Sequence, residues 1–256
     1  MKIRQIRNAT LLIEYAGKRF LIDPWFAAKG AIPGFEGTPN SHLRNPTAEL
    51  PVAIEELVEV DAVILTHVHP DHWDEVAAKA LRKNVPFFVQ HSGDRAVVRA
   101  AGFTDVRVLT GNPEFGGVKL IKTPGQHGSD ALLQAAYDLL GEVCGVVFKH
   151  PAEKTLYLAG DTVFNDYVAG NLITFAPDVA VLNCCDAQVT GFGSIIMNKD
   201  HVREVYRALP HAMLVASHME AVNHATLTRA ELRRFLDEMR MTDRVLVPDD
   251  GEICML

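Results

Sequence analysis

The sequence predicts an α/β protein in which helices cover sheets, arranged as two similar halves. Three observations carry this. Short apolar runs stop at turn residues, the runs alternate with helical patterns, and hairpin-rich stretches open both halves, at residues 2–22 and 118–159, with helices after each. The chain has 256 residues, 48% of them apolar, enough to fill a core of that size.

Taken in order, strands are expected at 2–7, 10–15 and 18–22, then at 62–66, 86–90 and 106–109. In the second half they are expected at 118–123, 144–149, 155–159, 179–183, 213–217, 244–247 and 252–255. Helices are expected at 74–83, 94–101, 199–209 and 229–239. The last opens on a capping box, Thr228 with Glu231 three residues on, each able to satisfy an amide at the helix start. Residues 27–51 hold Gly30, Pro33, Gly34, Gly37, Pro39, Pro46 and Pro51, too many breakers for a long element, and read as a loop bordering a site. No linker, charge run or repeat period marks a boundary, so residues 1–256 are read as one domain.

Charge narrows the function. Lys and Arg number 25 against 32 Asp and Glu, a formal charge of −7, which argues against duplex-DNA, other nucleic-acid and polybasic membrane binding. The opening residues alternate like a strand and carry no apolar export segment, and no stretch reaches the ~20 apolar residues of a membrane span. A cytoplasmic protein with reduced thiols at its four cysteines is therefore expected. The sequence leaves the oligomeric state open, a homo-oligomer included.

The chemistry is concentrated in Asp61-Ala-Val-Ile-Leu-Thr-His67-Val-His69-Pro-Asp71-His72, an apolar strand running into three histidines and a carboxylate. In extended backbone, residues i and i+2 face the same way, so His67 and His69 can reach one metal ion. Asp71 and His72 follow where the chain turns, placed to reach a second. With 11 His in the chain, composition alone would produce such a string in roughly one chain in a thousand. Without metal, four such groups would repel one another when ionised. Three further ligand-type residues, His127, Asp161 and His218, also end apolar strands, where rigid backbone holds side chains well. His224, six residues past His218, competes as a ligand or as a substrate contact.

The segments Thr66-His67-Val68-His69-Pro70-Asp71-His72, Gly125-Gln126-His127-Gly128, Ala159-Gly160-Asp161-Thr162 and Ser217-His218 resemble the successive motifs of the metallo-β-lactamase superfamily, in that superfamily's order. Together with Leu21-Ile22-Asp23-Pro24, the likeness spans almost the whole chain. The layout is similar to the L-ascorbate-6-phosphate lactonase-like group. The resemblance implies a four-layer αββα sandwich, with His67, His69 and His127 on one divalent ion, Asp71, His72 and His218 on the other, and Asp161 bridging them. Zn, Mn and Fe all suit these O and N donors. Two divalent ions, two carboxylates and a bridging hydroxide would sum to +1, favouring a small anionic substrate, and the ions would acidify bound water to a nucleophile at neutral pH.

The reading is thus a dinuclear metal-dependent hydrolase of a small anionic ester, foremost a lactone, with Asp71 and His224 as the catalytic candidates. Its alternatives are a phosphodiesterase acting on nucleotide or lipid-headgroup phosphodiesters and, more distantly, a non-catalytic metal-dependent binding protein. Flavodiiron-type oxidoreductases place Glu where His69 stands, and the best-known β-lactamase subclass places Cys where Asp161 stands. Nucleases of the superfamily carry a long insertion for which Asp161 and His218, 57 residues apart, leave no room, and glyoxalase II-like thioesterases append a helical domain where 38 residues follow His218. Asp23 reads as support for a ligand or as a turn residue, and His42 and Arg44 as anion contacts or a solvated loop. Glu220 reads as a proton donor or a polar turn residue, and Cys184 and Cys185 as small core residues.

Overall fold

The computed structural model describes residues 1–256. The first half comprises β1 (Lys2–Arg7), β2 (Thr10–Tyr15), β3 (Lys18–Ile22), α1 (Ile54–Val58), β4 (Ala62–Leu65), α2 (Glu75–Ala80), β5 (Phe87–Val89), α3 (Ser92–Ala100) and β6 (Val106–Val108). The chain continues with β7 (Glu114–Phe115), β8 (Val118–Pro124), α4 (Asp130–Leu140), β9 (Cys144–Lys149), β10 (Leu156–Leu158), α5 (Asp166–Phe175) and β11 (Val179–Asn183). It closes with β12 (Gln188–Val189), β13 (Gly193–Ser194), α6 (Lys199–Ala208), β14 (Met213–Ser217), α7 (Arg229–Glu238), β15 (Val245–Leu246) and β16 (Ile253–Met255).

Two seven-stranded sheets result, ordered β16-β1-β2-β3-β4-β5-β6 and β15-β14-β11-β10-β9-β8-β7. Each starts as antiparallel hairpins and continues as parallel strands, from β3 to β6 in one sheet and from β10 through β11 and β14 to β15 in the other. This is the two-half pattern expected from the sequence.

The period-2 alternation of strand side chains stacks the layers. Ala62 and Ile64 of β4 join Val179 and Val181 of β11 in a core shared by both sheets, with Phe20, Phe88, Val146 and Phe148. Val63 and Leu65 point the other way, into a cluster with Leu57 of α1, Ala77 of α2 and Val98 of α3. Ala180 and Leu182 likewise face Leu132 of α4, Leu172 of α5, Val205 of α6 and Leu232 of α7. The layers therefore run helix, sheet, sheet, helix, the expected αββα sandwich. No helix is long and apolar enough to cross a membrane.

Helices α1, α4 and α5 were not expected. α4 buries only Leu132 and Leu140 and is broken at Ala136 (φ −143°, ψ 30°), so it presents a weak apolar stripe. Its start and that of α5 are nonetheless marked by Ser129 and Asn165, whose side chains accept from the backbone N–H groups of Leu132 and Val168. α2 stops at Ala80 rather than running to residue 83, because Leu81 adopts extended backbone (ψ 142°).

Two of the five tyrosines serve this core. Tyr15 donates to the Lys154 carbonyl oxygen (2.9 Å), and Tyr157 accepts from the Asn171 amide (3.3 Å). Burial pushes both phenols up to about 12. A folded-state pKa above the unfolded value of 10 gives stability that is complete below pH 10 and is lost as pH rises through about 12. In a titration followed by phenolate absorbance, Tyr15 and Tyr157 are expected to ionise only towards about pH 12 or on unfolding; ionisation of these two near pH 10 in the folded protein would contradict this.

Candidate metal centre

Except for His127, the predicted ligands arrive at the carboxyl ends of parallel strands, where open α/β sheets present their sites. Asp23 follows β3, His67 follows β4, Asp161 follows β10 and His218 follows β14, while His127 comes off antiparallel β8. Delivery bends the backbone. Asp23 (φ 43°) and His218 (φ 60°) are left-handed, and Gly160 (φ 69°) precedes Asp161 where an added Cβ would stand 2.3 Å from the Cys144 carbonyl oxygen.

The seven predicted ligands converge. Three overlapping groups have donor atoms within 4.8 Å of one another and could hold a metal ion: His67, His69 and His127; His67, His72 and Asp161; Asp71, His72 and His218. His67 Nε2 lies 2.9 Å from His69 Nδ1, and His72 Nε2 lies 3.3 Å from His218 Nε2. Asp161 Oδ2 is 3.2 Å from His72 Nε2, 3.6 Å from His218 Nε2 and 3.8 Å from His127 Nε2, between the two ends of the cluster. Its Oδ1 accepts from the Asn183 amide at 2.7 Å, which leaves Oδ2 for the centre.

The hydrogen bonds behind the rings show that this donor set fits cations. His72 Nδ1 donates to Asp23 Oδ2 and His127 Nδ1 to the Ile195 carbonyl oxygen, both at 2.9 Å. Thr66 Oγ1 gives its proton to Asp23 Oδ2 (2.8 Å), so it accepts from His67 Nδ1 (3.1 Å). With Nδ1 protonated on these three rings, the Nε2 lone pairs point inward, as metal-binding histidines require. Asp23, whose Oδ1 also accepts from the Thr66 N–H (2.7 Å), thereby orients one histidine at each end.

The electrostatics are those of a buried cage. Burial lowers His67 and His127 and takes His69 to about 4. Burial opposes charge on His72 and His218 too, but the surrounding carboxylates prevail, taking His72 to about 10 and His218 well above its usual value. Asp71 and Asp161 are held well below the carboxylate range by those histidines, against the effect of burial.

His224 is 6% exposed, stacks edge-on against Phe35 (5.2 Å) and belongs to none of the three donor groups. The weaker candidates lie elsewhere. Arg44 donates to the carbonyl oxygens of Gly30 (2.7 Å) and Ala31 (3.0 Å), His42 is exposed, and the Glu220 carboxylate is bound by Arg229 (2.7 Å). Cys185, expected to be mere core, has its sulfur 3.5 Å from His218 Nδ1. Sequence reasoning missed the roles of Asn8, Thr66 and Asn183, whose carboxylate partners Asp71, Asp23 and Asp161 lie 63, 43 and 22 residues away along the chain; the one available signal was that each is a polar residue in or beside an apolar strand.

Beside His69 runs an apolar groove of about 570 Å³, lined by Trp25 and Ile32 of the 23–53 loop, Val68, Trp73 of the turn into α2, and Val97 of α3.

Fold and site together define a metal-dependent hydrolase of the metallo-β-lactamase fold. The chain belongs to the β-lactamase superfamily: the model of the beta-lactamase superfamily domain matches residues 18–219. It is 47% identical to the UPF0173 protein YddR of Bacillus subtilis (strain 168) over 98% of both chains. It is 32% identical to a UPF0173 metal-dependent hydrolase of Caldivirga maquilingensis, over 70% of this chain and 68% of that one. Among solved structures it superposes on an isothiocyanate hydrolase from Delia radicum gut bacteria with a TM-score of 0.97 and 49% identity, covering 100% of this chain and 99% of that one.

Proposed function

We propose that the chain is a dinuclear hydrolase of small neutral electrophiles that carry an apolar substituent, with isothiocyanates as the leading class. In this reading His67, His69 and His127 hold one divalent ion, Asp71, His72 and His218 the other, and Asp161 is shared. Zn, Mn and Fe suit the donors. When bound, such ions supply Lewis acidity and an acidified water.

The groove beside His69 carries the choice of substrate. Its walls offer indole and aliphatic surface and no Lys or Arg. Asp74, one of its two carboxylates, is occupied by the N–H groups of Phe26, Ala27 and Ala77. The isothiocyanate hydrolase at 49% identity supports the class. Hydrolysis of that group adds water across the N=C=S unit and releases an amine and carbonyl sulfide. The remaining roles fall to the chain: Asp23 and Thr66 keep the ring lone pairs inward, Trp25 and Trp73 exclude water from the substituent, and His224 contacts the substrate.

A small anionic ester, foremost a lactone, is the second reading, and the net positive charge of an ion-loaded cluster favours it. A phosphodiester stands behind it. A panel of an arylalkyl isothiocyanate, a sugar lactone and bis-nitrophenyl phosphate separates them. The isothiocyanate is expected to have the highest kcat/KM, by at least about tenfold; preference for either of the others would overturn the first reading.

The cluster also predicts proton release. The carboxylates around His72, taken to about 10, and around His218, also raised, favour their protonated forms when no cation faces them. A divalent ion competes with those protons, so calorimetry in buffers of different ionisation enthalpy should register proton release on metal uptake. Because protons compete with the ions, metal content should fall as pH drops below about 6. Uptake without proton release, with content unchanged at pH 5, would contradict this.

A further inference from the structure

We infer that Asn8 is a positioning residue for the Asp71/His72/His218 end of the centre and sets the ion affinity of that end alone, an inference that rests on the two-ion reading above. Asn8 occupies the β1–β2 turn, is fully buried and has left-handed backbone (φ 53°). Its carbonyl oxygen accepts from Gln5 Nε2 (2.8 Å), Ser217 Oγ (3.3 Å) and the His218 N–H (3.0 Å), tying the turn to the strand end that delivers His218.

The side chain reaches the donor atoms themselves. Asn8 Nδ2 lies 3.1 Å from both the carbonyl oxygen and Oδ2 of Asp71. Both are acceptors, so only the NH2 end of the amide can face them. The same nitrogen is 3.2 Å from His218 Nε2, and that atom is 3.2 Å from Asp71 Oδ2. One amide therefore touches both donors and fixes the torsion of Asp71 through two bonds. Its own Oδ1 is buried without a partner. A fold seldom leaves a carbonyl so, and here the orphan accompanies the orientation that serves Asp71. None of these contacts reaches the other end, where His67 leans on Thr66 and His127 on Ile195.

The test is a metal titration of stripped protein with Co(II), read by calorimetry and by the visible spectrum. Wild type is expected to take two ions per chain. Asn8→Gly removes the amide while accepting the left-handed backbone. It should bind one ion within about twofold of wild type and the other 10–100-fold more weakly, with loss of the spectral component of that site, the usual range for removing a ligand's hydrogen-bond partner. Asn8→Ala should show the same split with a lower Tm, since alanine strains at this φ, and so separates the amide's role from that of the turn. Wild-type affinities at both sites in Asn8→Gly, or equal weakening at both, would overturn the inference. A wild-type chain that takes no second ion would overturn it together with the two-ion reading, so the two failures are told apart by which protein fails.

Discussion

Asp161→Ala is expected to lower kcat/KM by about 10³-fold, roughly 4 kcal/mol of transition-state stabilisation, and to reduce metal content from two ions per chain toward one. Asp161 Oδ2 stands between the two ends, within 3.8 Å of His72, His127 and His218, and Asn183 fixes its other oxygen. Without it, two cations would face each other across imidazoles with no shared negative charge to offset their repulsion. Asp161→Asn keeps the volume and removes the charge, so it should lose nearly as much. Elemental analysis and steady-state kinetics on the best substrate of the panel are the measurements. Two retained ions with kcat/KM within tenfold of wild type would show that Asp161 does not join the sites.

Arg7→Met is expected to destabilise the fold by roughly 3 kcal/mol and to lower Tm by about 6–12 °C, given about 2–4 °C per kcal/mol for a chain of this size. Arg7 is fully buried at the end of β1. Its guanidinium donates to the carbonyl oxygens of Trp25 (2.9 Å), Ala27 (2.8 Å) and Ala48 (3.2 Å) and lies 5.0 Å from the Trp25 ring centroid. Those three carbonyls belong to the segment 23–53 between β3 and α1, which includes the breaker-rich stretch 27–51 and contains little regular structure of its own. Burial alone takes the Arg7 pKa down to about 10 despite Asp74, Asp250 and Glu49, so the charge is costly to hold. Methionine would remove that cost and still leave the buried carbonyls without donors, at about 1–3 kcal/mol each. Because Trp25 and Ile32 line the groove, KM should rise as well. Thermal denaturation within 2 °C of wild type would show that the loop is anchored elsewhere, for example through Asn223, whose side chain bonds Phe35, Thr38, Pro39 and Asn45.

The strands were legible because their signal is local. β1, β2, β3, β9, β11 and β14 lie where apolar alternation places them, and the centre was legible because its seven residues are metal-ligand types at or just past the ends of β4, β8, β10 and β14. α4 and α5 escaped because each buries few side chains, so their periodicity is faint even though their caps are plain. Arg44 and Glu220 show the converse: residue type suggested a site, but the partners they find are backbone carbonyls and Arg229.

Sequence alone determined that helices cover sheets in two similar halves and that His67, His127, Asp161 and His218 close apolar runs, since both follow from side-chain period and from which residue ends each run; the four-layer order was implied only by the resemblance. Tertiary structure decided the rest: that Asp23 orients histidines at both ends, that Asn8 and Cys185 stand behind His218 and its neighbours, and that an apolar groove rather than a cationic wall adjoins His69. These are hydrogen bonds and surfaces made between segments up to 210 residues apart. Their geometry comes from how the two sheets and the long loop pack, and no local window of the chain carries that information.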